Sequence, residues 1–171
     1  MEESNVVAIK FSQRVAILVD GNNIGIGIHD LMKDKNAMLN FRTVVPKILN
    51  GRELSGFYYF REGINISEKL EKMIHDDFHG QIIPCGKSVD VQLAVTGIEV
   101  SDKVDAIILL SGDGDYLPFV DHLKKKRVRI EVVAVKSSVH RTMKTRADLF
   151  TEITDADCFV FKTYPATKTN A

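Results

Sequence analysis

Two short apolar runs, each closed by an acidic, glycine-softened turn, restrict what this chain can fold into. Val104-Asp105-Ala106-Ile107-Ile108-Leu109-Leu110 leads into Ser111-Gly112-Asp113-Gly114-Asp115. Near the start, Arg14-Val15-Ala16-Ile17-Leu18-Val19-Asp20 leads into Gly21-Asn22-Asn23. Both runs are too short for a buried helix, contain β-branched residues and stop at glycine, so both read as fully buried strands. In open α/β sheets ligands bind outside the carboxyl ends of the strands. If these two strands are neighbours, their acids converge on one point.

The remainder alternates between helix and strand patterns. Ile24 to Lys35 reads as a loop entering a short helix, because Gly25 and Gly27 weaken a helix start while Ile28, Leu31 and Met32 supply helical spacing. Asn40 caps an expected helix over Phe41 to Leu49, with Pro46 kinking it or ending it early. Leu54 to Phe60 is an aromatic strand, and Asn65 with Glu68 opens a helix carrying Leu70, Ile74 and Phe78 on one face as far as Gly80. Gln81 to Pro84 is a short strand. Val89 to Val100 is apolar around much of its circumference and reads as a largely buried helix. Asp115 is the expected cap of a helix over Tyr116 to Lys126 with Pro118 in its first turn. Strand Val128 to Val135, a basic helix capped by Ser137 or Ser138 and ending near Arg146, and a last strand Asp157 to Phe161 complete the pattern. Strands alternating with helices imply a three-layer α/β/α fold around a mostly parallel sheet. At 171 residues, with no repeat or linker, the chain reads as one domain over 1–171, with a core at about 12–161 and polar termini.

The charge balance narrows the function. Twenty-three basic and 23 acidic residues give zero formal net charge, which argues against a protein that coats nucleic acid through its overall field but allows a local basic strip. Cys85 and Cys158 lie far apart without metal-ligand spacing and read as reduced thiols. No apolar run approaches the roughly 20 residues a bilayer-spanning helix needs. The opening MEESNVVAIK lacks the basic start and apolar stretch of a secretory leader. A cytoplasmic protein without a membrane partner is the expectation.

Four carboxylates occupy suggestive places: Asp20 after the first strand, Asp90 in the first turn of a helix, and Asp113 and Asp115 after the later strand. Singly, each has an ordinary role as a cap, a turn former or a helix-dipole partner. Gathered in one cleft they would repel, and a divalent cation with a preference for hard oxygen ligands would relieve that repulsion. Such an ion can activate water and polarise a phosphoryl oxygen.

In order along the chain, Val19-Asp20-Gly21-Asn22-Asn23, Lys87-Ser88-Val89-Asp90-Val91-Gln92-Leu93-Ala94 and Leu110-Ser111-Gly112-Asp113-Gly114-Asp115-Tyr116 resemble the NYN domain, in the LabA-like branch of the PIN-like nuclease superfamily. Arg146-Ala147-Asp148-Leu149-Phe150 resembles that family's C-terminal pattern, so the likeness covers roughly residues 12–161. It implies a PIN-like, Rossmann-like fold and metal-dependent cleavage of RNA phosphodiesters with Mg2+ or Mn2+. It also implies that Asp20, Asp90, Asp113 and Asp115 are the catalytic, metal-holding acids, directly or through water. Asn23 would support the site, and the Ser111 hydroxyl would orient a ligand or phosphate. Thr96 stands where family members often carry a further acid, which points to one metal rather than two, or to weak activity.

For substrate, Lys87 lies near Asp90 in sequence, and Lys136, His140, Arg141, Lys144 and Arg146 form an acid-free stretch able to meet a nucleic-acid backbone, single-stranded RNA being the expected partner. A homodimer is compatible with this pattern. Tyr116 reads first as core, and His29, His75, His79 and His122 share no metal spacing. The competing reading is a non-catalytic RNA-binding or protein-interaction module with a vestigial acidic pocket, favoured by Thr96 and the neutral charge. Phosphotransfer of the haloacid-dehalogenase type is disfavoured because Asn22 stands where a second aspartate is needed. Gly21 and Gly25-Ile26-Gly27 do not make a dinucleotide-binding loop.

Overall fold

Six strands form one parallel sheet in the computed structural model, which describes residues 13–161. In chain order the elements are β1 (Arg14–Asp20), α1 (Gly21–Met32), β2 (Ala37–Leu39), α2 (Phe41–Leu49), β3 (Glu53–Glu62), α3 (Glu68–Phe78), β4 (Gln81–Cys85) and α4 (Val89–Ser101). They continue with β5 (Ala106–Leu110), a 3-10 turn over Gly114–Tyr116, α5 (Leu117–Lys125), β6 (Arg129–Val135), α6 (Arg141–Arg146), β7 (Leu149–Ile153) and β8 (Cys158–Val160). The sheet order is β4-β3-β1-β5-β6-β7. Every pairing in it is parallel. The expected polar ends, 1–12 and beyond 161, lie outside the described residues.

The apolar runs of β1, β5 and β6 are buried because helices cover both sheet faces. One face packs Ile17, Val19, Phe57 and Ile108 against Ile24 and Ile28 of α1, Phe41 and Val44 of α2 and Ile74 of α3. The other packs Leu18, Ile107, Leu109 and Val132 against Leu93 of α4, Phe119 and Leu123 of α5 and Met143 of α6. These are the three layers expected.

Several local expectations are corrected. Helix α1 starts directly at Gly21 with no intervening loop, because the Asp20 side chain accepts from the Asn23 backbone N–H and caps it; Lys33, at φ 54°, ends it. Helix α2 continues through Pro46 to Leu49, anchored by Phe41, Val44, Val45 and Ile48. Ser67, not Asn65, caps α3 by accepting from the Leu70 N–H. Asp113, not Asp115, caps the 3-10 turn ahead of α5. The ring of His140, rather than Ser137 or Ser138, caps α6. Helix α4 is only half buried: Val89, Leu93 and Gly97 face the core while Val91, Val95 and Ile98 are exposed. Strand β7 and the small antiparallel pair β2–β8 were not expected as drawn; β7 takes residues read as following the basic helix, and β8 is shorter than Asp157 to Phe161.

Cys85 and Cys158 are both free thiols. Burial, with Asp157 and Asp155 nearby, pushes the Cys158 thiol up to about 11, so it stays protonated. Among the described residues no helix is long and apolar enough to cross a membrane.

Candidate active site at the switch point of the sheet

From β1 the chain moves outward through β3 to β4, then returns to place β5 against the other side of β1 before continuing to β6 and β7. The carboxyl ends of β1 and β5 therefore flank the point where strand order reverses, the place where such sheets bind ligands. Val19 pairs with Leu110, so Asp20 and Ser111 emerge side by side.

Short hydrogen bonds fasten this junction. The Asn23 side-chain oxygen accepts from the Gly112 N–H at 2.9 Å, tying α1 to the turn after β5. Asn22 does the same for β3, its side-chain oxygen accepting from the Glu62 N–H at 2.8 Å. Ser111 is completely buried, and its hydroxyl accepts from the Asp113 N–H at 3.2 Å. Its side chain thus holds the turn rather than reaching outward to a ligand. The Asp113 carboxylate accepts from the Asp115 N–H at 3.0 Å. Gly112 permits a close approach, since a Cβ there would stand 2.8 Å from the Val139 Cα and 2.9 Å from the Ser138 carbonyl oxygen. The His140 N–H completes the clamp by donating to the Gly112 carbonyl at 2.8 Å.

Asp20 sits at the centre. It is only 6% exposed, with Oδ1 accepting from the Asn23 N–H at 3.0 Å and Oδ2 accepting from the Tyr116 hydroxyl at 2.8 Å. Burial raises its pKa above the ordinary carboxylate value; backbone hydrogen bonding from Asn23 and the Tyr116 bond oppose that shift, and the Asp113 charge adds to it. Burial likewise pushes the Tyr116 phenol far above its usual range, with the charges of Asp20, Asp90 and Asp113 all contributing, so Tyr116 remains a proton donor. Asp90 is held below the usual range, chiefly by the Ser88 hydroxyl, which donates to it at 2.6 Å.

Of the four acids, Asp20 alone bonds to the Tyr116 phenol, while Asp90 and Asp113 act on it through their charges. Asp115 is exposed and engages the cluster through its backbone N–H. Thr96 is half-buried on α4. Among the described residues no three His, Cys, Asp or Glu side chains form a group able to hold a metal ion. The donor chemistry nevertheless fits Mg2+ or Mn2+: all three acids offer hard oxygens, and a hydrated ion of this kind keeps several waters and needs only one or two direct carboxylates.

The basic residues divide. Lys136 and Arg141 are exposed and lie next to the clamp on the acidic turn, and the His140 ring packs against Gly114, where a Cβ would be 2.9 Å from it. Lys87 is exposed in the turn before α4. Lys144 instead lies over the Phe150 ring at 5.1 Å, and Arg146 pairs with Asp121 at 2.7 Å, which removes both from a free basic strip.

Tyr116 is the residue whose role the sequence hid. It was legible as core, but its contact with Asp20 spans 96 positions and depends on β1 and β5 being neighbours. Tyr116→Phe leaves a buried carboxylate short of one donor, at a cost of roughly 1.5–3 kcal/mol at neutral pH. It also raises the proton affinity of Asp20 further. Urea denaturation at pH 7 checks the first effect, and a carboxylate titration by NMR checks the second.

Comparison with known proteins gives three likenesses. The model of the NYN domain matches residues 14–154. The low amplitude and bright protein LabA of Synechococcus elongatus is 25% identical over 169 residues, covering 88% of this chain and 89% of that protein. The crystal structure of a protein of unknown function from Vibrio parahaemolyticus has a TM-score of 0.76 and 19% identity, over 93% of this chain and 100% of the other, a likeness of fold alone.

Proposed function

The chain belongs to the NYN domain family, and from that membership together with the acidic junction we propose that it is a ribonuclease hydrolysing phosphodiester bonds of single-stranded RNA with Mg2+ or Mn2+. The observation that carries this reading is the convergence of Asp20 and Asp113 at the switch point, with Asp20 buried, ionisable and fixed by Tyr116. Asp20 and Asp113, helped by Asp90, would hold the ion; Asp115 is the outermost of the four acids. The bound ion would supply Lewis-acid polarisation of the phosphate and lower the pKa of an attacking water.

The side chains of the protein do the rest. Asn23 and Tyr116 fix both oxygens of Asp20, so little reorganisation is needed when substrate arrives. Lys136 and Arg141, with Lys87 in the turn before α4, would neutralise backbone phosphates. The Nδ1 of His140 accepts from the Thr142 N–H at 3.3 Å, which leaves Nε2 as the outward donor toward substrate.

Incubation of a labelled single-stranded RNA with the protein and Mg2+ or Mn2+ tests the proposal. Cleavage is expected, lost on adding chelator and lost in Asp113→Asn; cleavage that persists in both would place the activity elsewhere. A second reading, a protein-interaction module, is favoured by the exposed Val91, Val95 and Ile98 on α4 beside Asp90. Absence of divalent-ion binding in calorimetry, with a partner still bound, would select it.

A further inference from the structure

The two outer edges of the main sheet are built differently. Strand β4 carries Pro84, which has no N–H to offer a further strand. At the other edge β7 pairs with β6 over Leu149–Ile153 in unbroken register, without proline, lysine or bulge. Those are the devices that usually keep an edge from pairing with another chain. Among the described residues no strand pairs with the outer side of β7. The helix layer also stops short of it. A hollow of about 350 Å3 lies between the end of α2 and β7, lined in part by Ile48, Arg52, Leu149 and Thr151, and Leu149 is 45% exposed.

Charge points to what covers this edge. Glu152 is the one charged residue of β7; it is exposed and joins no ion pair among the described residues. Two positions earlier, on the same face, the Phe150 ring carries the Lys144 ammonium at 5.1 Å. Cation and anion straddle Thr151, an arrangement complementary to itself under a two-fold rotation. Side chains alternate faces along a strand, and a rotation normal to the sheet keeps each face, so the axis must pass through a residue. Centred on Phe150, it sets Glu152 against Asp148 of the other copy. Centred on Glu152, it sets that carboxylate against itself. Like charges directly opposite are destabilising, so both registers are disfavoured. Centred on Thr151, it sets Glu152 opposite Phe150 and beside Lys144, once in each direction, with Leu149 opposite Ile153.

We propose that β7 is a self-association edge: two copies of this chain pair their β7 strands antiparallel about Thr151 and continue one sheet across both molecules. A five-residue edge is about 17 Å long, so the contact belongs with the small, reversible interfaces rather than the permanent ones. Strands β5 and β6 separate β7 from β1, and antiparallel copies turn their acidic junctions to opposite ends of the joined sheet. Association is therefore independent of the ribonuclease reading.

Sedimentation velocity of the full chain over a wide concentration range in low salt tests it. A monomer that passes to a dimer is expected, with amide exchange along β7 slowing over the same range. Glu152→Lys and Lys144→Glu each create two like-charge contacts per dimer and are expected to weaken it by about tenfold or more, with the melting temperature of the monomer unchanged. The double variant restores both opposite-charge pairs and is expected to recover the dimer. An equimolar mixture of the two single variants is expected to recover it as well, which only contact between two copies can produce. A chain that stays monomeric at the highest concentration overturns the proposal, whether residues 1–12 or another protein covers the edge. Dimerisation that Glu152→Lys leaves untouched, or that does not slow β7 exchange, places the contact elsewhere and overturns it too. RNA cleavage by a strict monomer would remove the interface and leave the nuclease; a dimer without cleavage would do the reverse.

Discussion

Asp20→Asn is expected to reduce divalent-ion-dependent RNA cleavage at least a thousandfold, equivalent to about 4 kcal/mol of transition-state stabilisation, while leaving the protein folded. The substitution is nearly isosteric. Its oxygen can still accept from the Asn23 N–H and cap α1, since asparagine is as good a cap as aspartate. Its NH2 can donate to the Tyr116 oxygen in place of the bond that Oδ2 accepts. What disappears is the anion. That charge is costly to the fold: burial first, and then the Asp113 charge, raise the pKa of Asp20 above its ordinary 3.8. A group with a raised folded-state pKa contributes its stability below the unfolded value, and that contribution is lost as pH rises through the folded value. At pH 7 the wild type therefore bears the full cost, and Asp20→Asn is expected to melt at the same temperature or higher when both are measured in chelator. Activity lost with stability kept is the signature of a functional carboxylate. A fall of many degrees would instead assign Asp20 a structural role, and unchanged cleavage would remove it from the site.

How much of this was legible beforehand follows from what each signal measures. The strands β1, β5 and β6 announce themselves because burial on both faces demands unbroken apolar runs. Edge strand β7, Leu-Phe-Thr-Glu-Ile, is half exposed and polar in places, so its pattern is hard to distinguish from a loop. The cap at Asp20 outweighs the glycines of α1, a competition that propensity alone resolves the wrong way. Helix α4 misleads in the opposite sense. Its apolar residues surround it, but only one side meets the sheet, leaving Val91, Val95 and Ile98 in solvent.

The site divides along similar lines. Acids after strand ends can be found by inspection, because glycine and aspartate at those positions have few structural alternatives taken together. Tyr116 and Asn23 gain their roles from strand adjacency, which the local pattern does not encode. Lys144 and Arg146 looked free because their partners, Phe150 and Asp121, come into reach only when α5, α6 and β7 pack together.

Arg52→Met is expected to destabilise the fold by about 3–5 kcal/mol, the usual consequence of stripping one partner from a buried ion pair. Glu131 lies on β6, between β5 and β7, with its side chain only 4% exposed. Arg52 grips it with both ends of the guanidinium, at 2.7 and 2.8 Å. The same guanidinium donates to the Leu49 and Ile48 carbonyls at the end of α2, each at 2.8 Å. Arg129 adds a bond of 2.7 Å to Glu131 but is itself 42% exposed, so it offsets only part of the loss. Burial alone would push Glu131 up; the hydrogen bonds and charges of the two arginines outweigh it and hold its pKa below the ordinary 4.5. A lowered folded-state pKa means stability that is present above the unfolded value and lost as pH falls through the folded one. The gap between wild type and Arg52→Met, measured by urea denaturation, should therefore be widest near neutral pH and narrow on acidification below about pH 4.5. Joining Arg52→Met to Glu131→Met removes the stranded charge and is expected to recover most of the stability, since an apolar pair commonly replaces a buried ionic one at little cost. If the single and double variants are equally unstable, the lost bonds to the α2 carbonyls, and not the stranded carboxylate, account for the damage.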